Sequence, residues 1–285
     1  MQFLKSTRQQ SYSLILSFII YHASLVTHPA FAQSPYALKT GRELTLLGAG
    51  AVAYGTSIVL GSTVDPLTPT EISALNRANV NAFDRQATYH WSTSADRLSD
   101  VTLAGNAALL ALVTVGGKPM RQDVKTVAVM FIETLALSSG IERTVKAITQ
   151  RPRPFVYNEV APLDEKLTRD ASQSFFSGHA TISFATAVFT GEVFGHYFPQ
   201  SRLKPYVWIG SLGLATATSA LRYEAGLHYP TDLITGALYG SLVGWGIPKL
   251  HQVKNQSALG RRLDVQPWSN GAANGIYMRL AVFSR

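Results

Sequence analysis

Three short clusters in this chain carry the residue types that phosphate chemistry needs. The first is Lys146 with Arg153-Pro154, the second Ser177-Gly178-His179, and the third Arg222 with His228 and Asp232. Each sits where an apolar segment starts or stops. Three fixed cations can grip the oxygens of an anion. Two imidazoles can attack and shuttle protons, and a carboxylate can orient one of them. Together they suffice to hold a phosphate and break one of its ester bonds.

Every cluster also has an ordinary structural reading. Lys146 and Arg153 can grip different oxygens of one phosphate, an ammonium as a point charge and a guanidinium as a planar fork. Lys146 can equally pair with Glu142, four residues earlier on the same helix face. Ser177-Gly178-His179 precedes an apolar segment, so it offers the free N–H groups of a helix start to an anion. Ser177 can also serve simply as the helix cap. His228 and Asp232 are four residues apart and share a helix face. The carboxylate can hold one ring nitrogen and leave the other free, or it can do no more than favour the helix start.

The elements that must position these clusters are six apolar segments. They run roughly over 44–62, 101–117, 124–147, 180–198, 205–221 and 233–247. Each is near the length that crosses a hydrocarbon layer, about 20 residues. If such helices alternate up and down, the end of the third, the start of the fourth, the end of the fifth and the start of the sixth fall on one side. All three clusters then meet there. The segments are rich in Gly, Ala, Ser and Thr, which lets helices approach closely in a membrane bundle. Glu133 interrupts the third and Glu192 with His196 the fourth. These must face the bundle interior in lipid, and the alternative is a soluble all-helical protein with unusually apolar helices. Polar connections lie over 65–100 and 151–176, the second opened by the helix-breaking Arg151–Pro154 run.

The termini differ from the middle. Lys5 and Arg8 precede an apolar stretch, and Ala30-Phe31-Ala32 follows. That pattern reads as a signal peptide over residues 1–32, or as an uncleaved anchor. Residues 33–250 form the helical domain. Residues 251–285 form a basic tail in which alternation around 276–283 suggests a strand, paired as a hairpin with residues near 265–268. Basic residues at 118–125, 202–204 and 249–262 place the clusters on the outer side of a membrane. A cleaved leader followed by six crossings places them inside, so the two arguments conflict unless the first segment does not cross.

Composition narrows the partner. The chain is 46% hydrophobic and 15% charged, with a net charge of +8. That balance suits phosphate esters or acidic headgroups. The basic residues are scattered and form no nucleic-acid motif, so nucleic acid is not an expected partner. Without cysteine, disulfides and thiolate chemistry are excluded.

Taken together, Lys146…Arg153-Pro154, Phe176-Ser177-Gly178-His179 and Leu221-Arg222…His228…Asp232 resemble the signature of the type 2 phosphatidic acid phosphatase (PAP2) superfamily, which also includes bacterial acid phosphatases and vanadium haloperoxidases. The resemblance spans about residues 146–232. Two positions depart from it, with Phe176 where the family has Pro and Leu221 where it has Ser. The resemblance implies an all-α fold, a six-helix PAP2-type bundle spanning a membrane. It implies a phosphatase without a cofactor, acting on monoesters or diphosphates of lipids. The other readings it allows are a soluble periplasmic acid phosphatase, a vanadium-dependent haloperoxidase and a non-catalytic membrane protein on the same scaffold. It further implies that His228 attacks phosphorus and forms a phosphohistidine, that Asp232 orients it, and that His179 protonates the leaving group and then activates water. Lys146, Arg153, Ser177, Gly178 and Arg222 would bind the phosphate. Glu133, Glu142 and Arg143 read as structural, and Arg151 as at most a supporting residue. The expected setting is a bacterial-type envelope, with the site facing the periplasm.

Overall fold

Six helices of twenty or more residues carry the part of the chain that a computed structural model describes. That part is residues 34–253, together with the backbone of 263–269 and 274–280. The leader read over residues 1–32 lies outside the described residues, as do the tail cations Lys254, Arg261 and Arg262. The helices are α1 (Thr40–Ser62), α2 (Thr93–Gly116), α3 (Val124–Thr149), α4 (Gly178–Tyr197), α5 (Lys204–Glu224) and α6 (Pro230–His251). Near the C-terminus β1 (Leu263–Ser269) pairs antiparallel with β2 (Asn274–Leu280), Leu263 opposite Leu280 and Ser269 opposite Asn274.

Local signals set the helix ends that matter. The Ser92 side chain accepts the Ala95 N–H at 3.2 Å and caps α2. The helix therefore begins eight residues before the apolar run read from Val101. Its first two turns are polar, so hydropathy alone hides them. α3 stops at Gln150, which takes a left-handed φ of 43°, and Pro152 forbids continuation. Ser177 caps α4, and Pro230 opens α6 at a position where its missing N–H costs nothing. Between α5 and α6 the chain turns at Gly226, φ +72°. A Cβ there would lie 2.1 Å from the carbonyl oxygen of His90.

α4 is the central helix and packs against α2, α3, α5 and α6, while α1 packs along α3. The α4–α6 contact is backbone-close. A Cβ on Gly240 would meet the Thr181 carbonyl oxygen at 2.1 Å, and one on Gly244 the Ala185 carbonyl oxygen at 2.3 Å. These glycines, with Gly236, recur every four residues on one face of α6. They are what lets the start of α4 and the start of α6 share one small site.

The bundle interior mixes apolar and hydroxyl side chains. Phe189, Val193, Met120 and Met130 are fully buried. So is Asn106, whose amide donates to the Ser183 carbonyl at 3.0 Å. The outer faces are oily instead: Leu44, Val52, Leu112, Ile209 and Leu238 are all more than two-thirds exposed. Among the described residues, three helices are long and apolar enough to cross a membrane. At the other end, the loops fold into short turns over a second core of Phe155, Val156, Ala171, Ala225 and Leu227. That core fixes the loop backbone from which Arg153 and His228 project.

Candidate active site

The end of α3, the start of α4 and the α5–α6 turn converge. The Ser177 N–H donates to the Asp232 carbonyl at 3.1 Å, joining α4 to α6. The Arg153 guanidinium donates to the Leu227 carbonyl at 3.3 Å, joining the loop after α3 to the residue before His228.

His228 is 1% exposed. Its Nδ1 lies 2.9 Å from the carbonyl oxygen of Ser174. A carbonyl only accepts, so Nδ1 carries the hydrogen and Nε2 keeps a lone pair. Nε2 is buried with no hydrogen-bond partner among the described residues. Burial pushes the pKa of this ring well below the ordinary imidazole value, and the positive charges of Arg153, Lys146 and Arg222, with His179, push it further. The result is a neutral nitrogen base facing a field of cations.

Asp232 is fully buried, and its arrangement differs from the direct His–Asp pair expected from spacing. Its Oδ2 accepts the Ser174 hydroxyl at 2.5 Å and the Tyr229 N–H at 2.9 Å, and stands 3.7 Å from His228 Nδ1. Its Oδ1 accepts Arg151 at 2.5 Å. In the first turn of α6 the carboxylate is drawn to the free N–H of Tyr229. It therefore holds the residues on either side of the imidazole more than the imidazole itself.

Arg151 belongs to this frame. It bridges Asp232 to the fully buried Asp84, 2.8 Å away, and lies over the Tyr229 ring at 3.9 Å. Asp84 also accepts the Thr231 hydroxyl at 2.7 Å and its N–H at 3.0 Å. Burial raises the Asp84 pKa, but the bonds from Thr231, Arg151 and Asn81 outweigh it and hold the carboxyl below its usual range. Sequence reading gave Arg151 a minor place and Asp84 none.

Each cationic phosphate-binding candidate, and His179 with them, already has an acidic neighbour. Lys146 Nζ is 2.6 Å from Glu142. Arg153 donates to the Asp170 carboxylate at 2.7 Å and to its carbonyl at 2.8 Å. Arg222 donates to Asp96, and to the Ser99 hydroxyl at 3.3 Å. His179 Nε2 is 2.8 Å from Asp100. Asp170, Asp96 and Asp100 are about half exposed or more, so an arriving anion can displace them into solvent. Asp96 and Asp100 stand on the polar opening turns of α2. Their i, i+4 spacing was legible in the sequence, but the apolar boundary excluded them.

Ser177 acts as the cap of α4, its hydroxyl accepting the Ala180 N–H at 3.3 Å. A Cβ on Gly178 would lie 2.7 Å from Glu142 Oε1. The glycine thus admits a carboxylate to the start of α4, where the helix dipole favours negative charge. The two departing positions add no polar atom. Phe176 is buried edge-on to Phe175 and Tyr239, and Leu221 packs against the loop core.

Residues 127–256 match the model of the PAP2 superfamily. Over that stretch the chain is similar to the PAP2 superfamily. The PAP2 match covers α4, α5 and α6, nearly all of α3, and every candidate residue named above except Asp84, Asp96, Ser99 and Asp100. Among solved structures, the chain is similar to a transmembrane PAP2 type phosphatidylglycerolphosphate phosphatase from Bacillus subtilis. Identity is 16%, with 70% of this chain and 94% of that chain covered, at a TM-score of 0.33. At that score the likeness carries no argument about fold or function. Comparison with curated proteins finds no match.

Proposed function

We propose that this protein is a membrane phosphatase that hydrolyses phosphate monoesters or diphosphates of lipids through a phosphohistidine. The observation that carries the reading is the bare, buried Nε2 of His228 among the charges of Arg153, Lys146 and Arg222. In the first step Nε2 attacks phosphorus, the N–P bond forms and the P–O bond to the leaving group breaks. Protonated His179 gives its proton to the departing alkoxide. In the second step His179 takes a proton from water, the water oxygen bonds to phosphorus and the N–P bond breaks. Phosphate leaves and His228 returns neutral. Phosphoryl transfer asks mainly for positioning and charge stabilisation. The three cations supply both, after Glu142, Asp170 and Asp96 give way. The free N–H groups at the start of α4, Gly178 among them, add donors. The Ser174 carbonyl fixes the tautomer of His228, and Asp232 with Arg151 fixes Ser174 and Tyr229.

The oily outer faces of the helices support a lipid setting, with the site at one membrane surface in a bacterial-type envelope. Large apolar side chains facing outward from several helices are costly in water and expected in hydrocarbon. Phosphate release should be measured from a lipid phosphate in detergent micelles and from an aryl phosphate, for the native chain and for His228→Ala. Release from the lipid that His228→Ala abolishes is the expected result. Unchanged release in His228→Ala rejects the catalytic reading. A chain soluble without detergent that prefers the aryl ester rejects the lipid one.

A further inference from the structure

A second buried cluster lies far from the phosphate-handling end. His251 closes α6, nineteen residues beyond Asp232, which is about 28 Å along a helix. Its Nδ1 sits 2.8 Å from the carbonyl oxygen of Ile247, so Nδ1 carries the hydrogen and Nε2 bears the lone pair. Nε2 lies 3.1 Å from Glu43 Oε1 on α1 and 3.1 Å from Glu133 Oε2 on α3. Glu133 is fully buried, and neither of its oxygens has a hydrogen-bond partner among the described residues. A lone pair and two ionised carboxylates facing one another repel unless a proton or a metal cation lies between them.

We propose that Glu43, Glu133 and His251 form a binding site for a divalent transition-metal cation, with zinc(II) the best fit. The three donor atoms lie within 4.8 Å of one another. Around tetrahedral zinc, with bonds of about 2.0–2.1 Å, neighbouring ligand atoms stand roughly 3.3 Å apart. The 3.1 Å separations need only a small adjustment to reach that. An imidazole donor disfavours magnesium and calcium, which take oxygen ligands. Two carboxylates, a neutral imidazole and a dication sum to zero charge, and Arg42 beside Glu43 adds one positive charge at the rim. A single shared proton on Nε2 would serve the geometry less well, because one N–H cannot point at two carboxylates at once.

The surroundings suit such a site. The Ile247 carbonyl orients the imidazole, as outer partners of metal-bound histidines do. Arg42 Nη2, 2.7 Å from Glu43 Oε1, and the Lys39 N–H at 3.1 Å hold Glu43 in place. A cavity of about 460 Å³, lined by Lys39, Arg42, Leu250, His251 and Gln252, gives an approach. The ion would clip α1, α3 and α6 together at this end. It is independent of the phosphatase reading.

The test uses the full chain in detergent, stripped with a chelator and titrated with zinc(II) by calorimetry, with metal content measured after dialysis. One zinc per chain and a raised thermal midpoint are expected. Glu133→Gln and His251→Gln should each weaken zinc binding by at least about a hundred-fold, since losing even an outer partner costs 10–100-fold. His228→Gln should keep the ion. Absence of stoichiometric zinc in the native chain overturns the proposal, as does native affinity in the two variants or loss of the ion in His228→Gln. Should either variant fail to fold, X-ray absorption on the native zinc form decides. One imidazole with oxygen donors supports the site, and two or more imidazoles overturn it.

Discussion

His228 turns its Nδ1 to the backbone carbonyl of Ser174 at 2.9 Å, and Asp232 stands back at 3.7 Å. The tautomer that exposes Nε2 is thus set by main chain. The carboxylate acts one step removed, through the Ser174 hydroxyl and the Tyr229 N–H.

That division of labour separates two variants. Ser174→Ala leaves the carbonyl in place and should lower kcat by less than about tenfold. Asp232→Asn loses the Arg151 pair and disturbs both flanks of the imidazole, and should lower kcat by roughly 10²–10⁴, the range of a displaced acid–base group. Phosphate-release kinetics on both variants check this. Equal losses would show that the Ser174 side chain, not its carbonyl, matters most.

On the proposed reading, the exposed carboxylates beside the cations are competitors of phosphate. Asp170→Asn and Asp96→Asn should tighten inhibition by inorganic phosphate. Exposed ion pairs are worth about 1 kcal/mol at most, so the inhibition constant should fall by no more than roughly fivefold. Weaker inhibition in both variants would mean that these acids position the cations instead.

Arg151 links two fully buried carboxylates, Asp84 and Asp232. Arg151→Met leaves both without their cation and should cost about 3–5 kcal/mol, as breaking a buried pair does. Thermal unfolding in detergent reads this as a large fall in midpoint. Arg151→Lys should rescue it only in part, because an ammonium cannot reproduce the fork that meets Asp84, Asp232 and Thr231 together. Full rescue by lysine would reduce the contribution to charge alone.

Stability should depend on pH through His228. An unfolded imidazole takes up a proton at pH ~6.5, whereas folded His228 does so only well below that ordinary value. Between those two pKa values the unfolded chain holds the extra proton. The contribution is fully present above about pH 6.5 and is lost as pH falls toward the folded pKa. Thermal midpoints of the native chain and His228→Gln, compared across that window, should converge toward acid. A difference independent of pH would mean that the ring is not buried neutral.

The sequence marked the candidate reactive groups more readily than their partners. His179, His228 and Asp232 were legible because short spacings on helix ends have few structural explanations in combination. Asp96 and Asp100 were not, because a cap at Ser92 extends α2 backward through residues too polar to register as helix beside an apolar run. Asp84 was invisible for a different reason. Its partners, Arg151 and Thr231, are 67 and 147 residues away, and only folding brings them together. Glu133 and His251 were separately noticeable or ignorable, and only their meeting with Glu43 gives them chemical meaning.

The central claim is the covalent intermediate on His228, and rapid acid-free quenching of turnover with a phosphate-labelled substrate tests it most directly. The account predicts label that is stable to alkali and labile to acid, maps to the peptide carrying His228, and is absent from His228→Gln. Label on any other residue, or full turnover in His228→Gln, would contradict it.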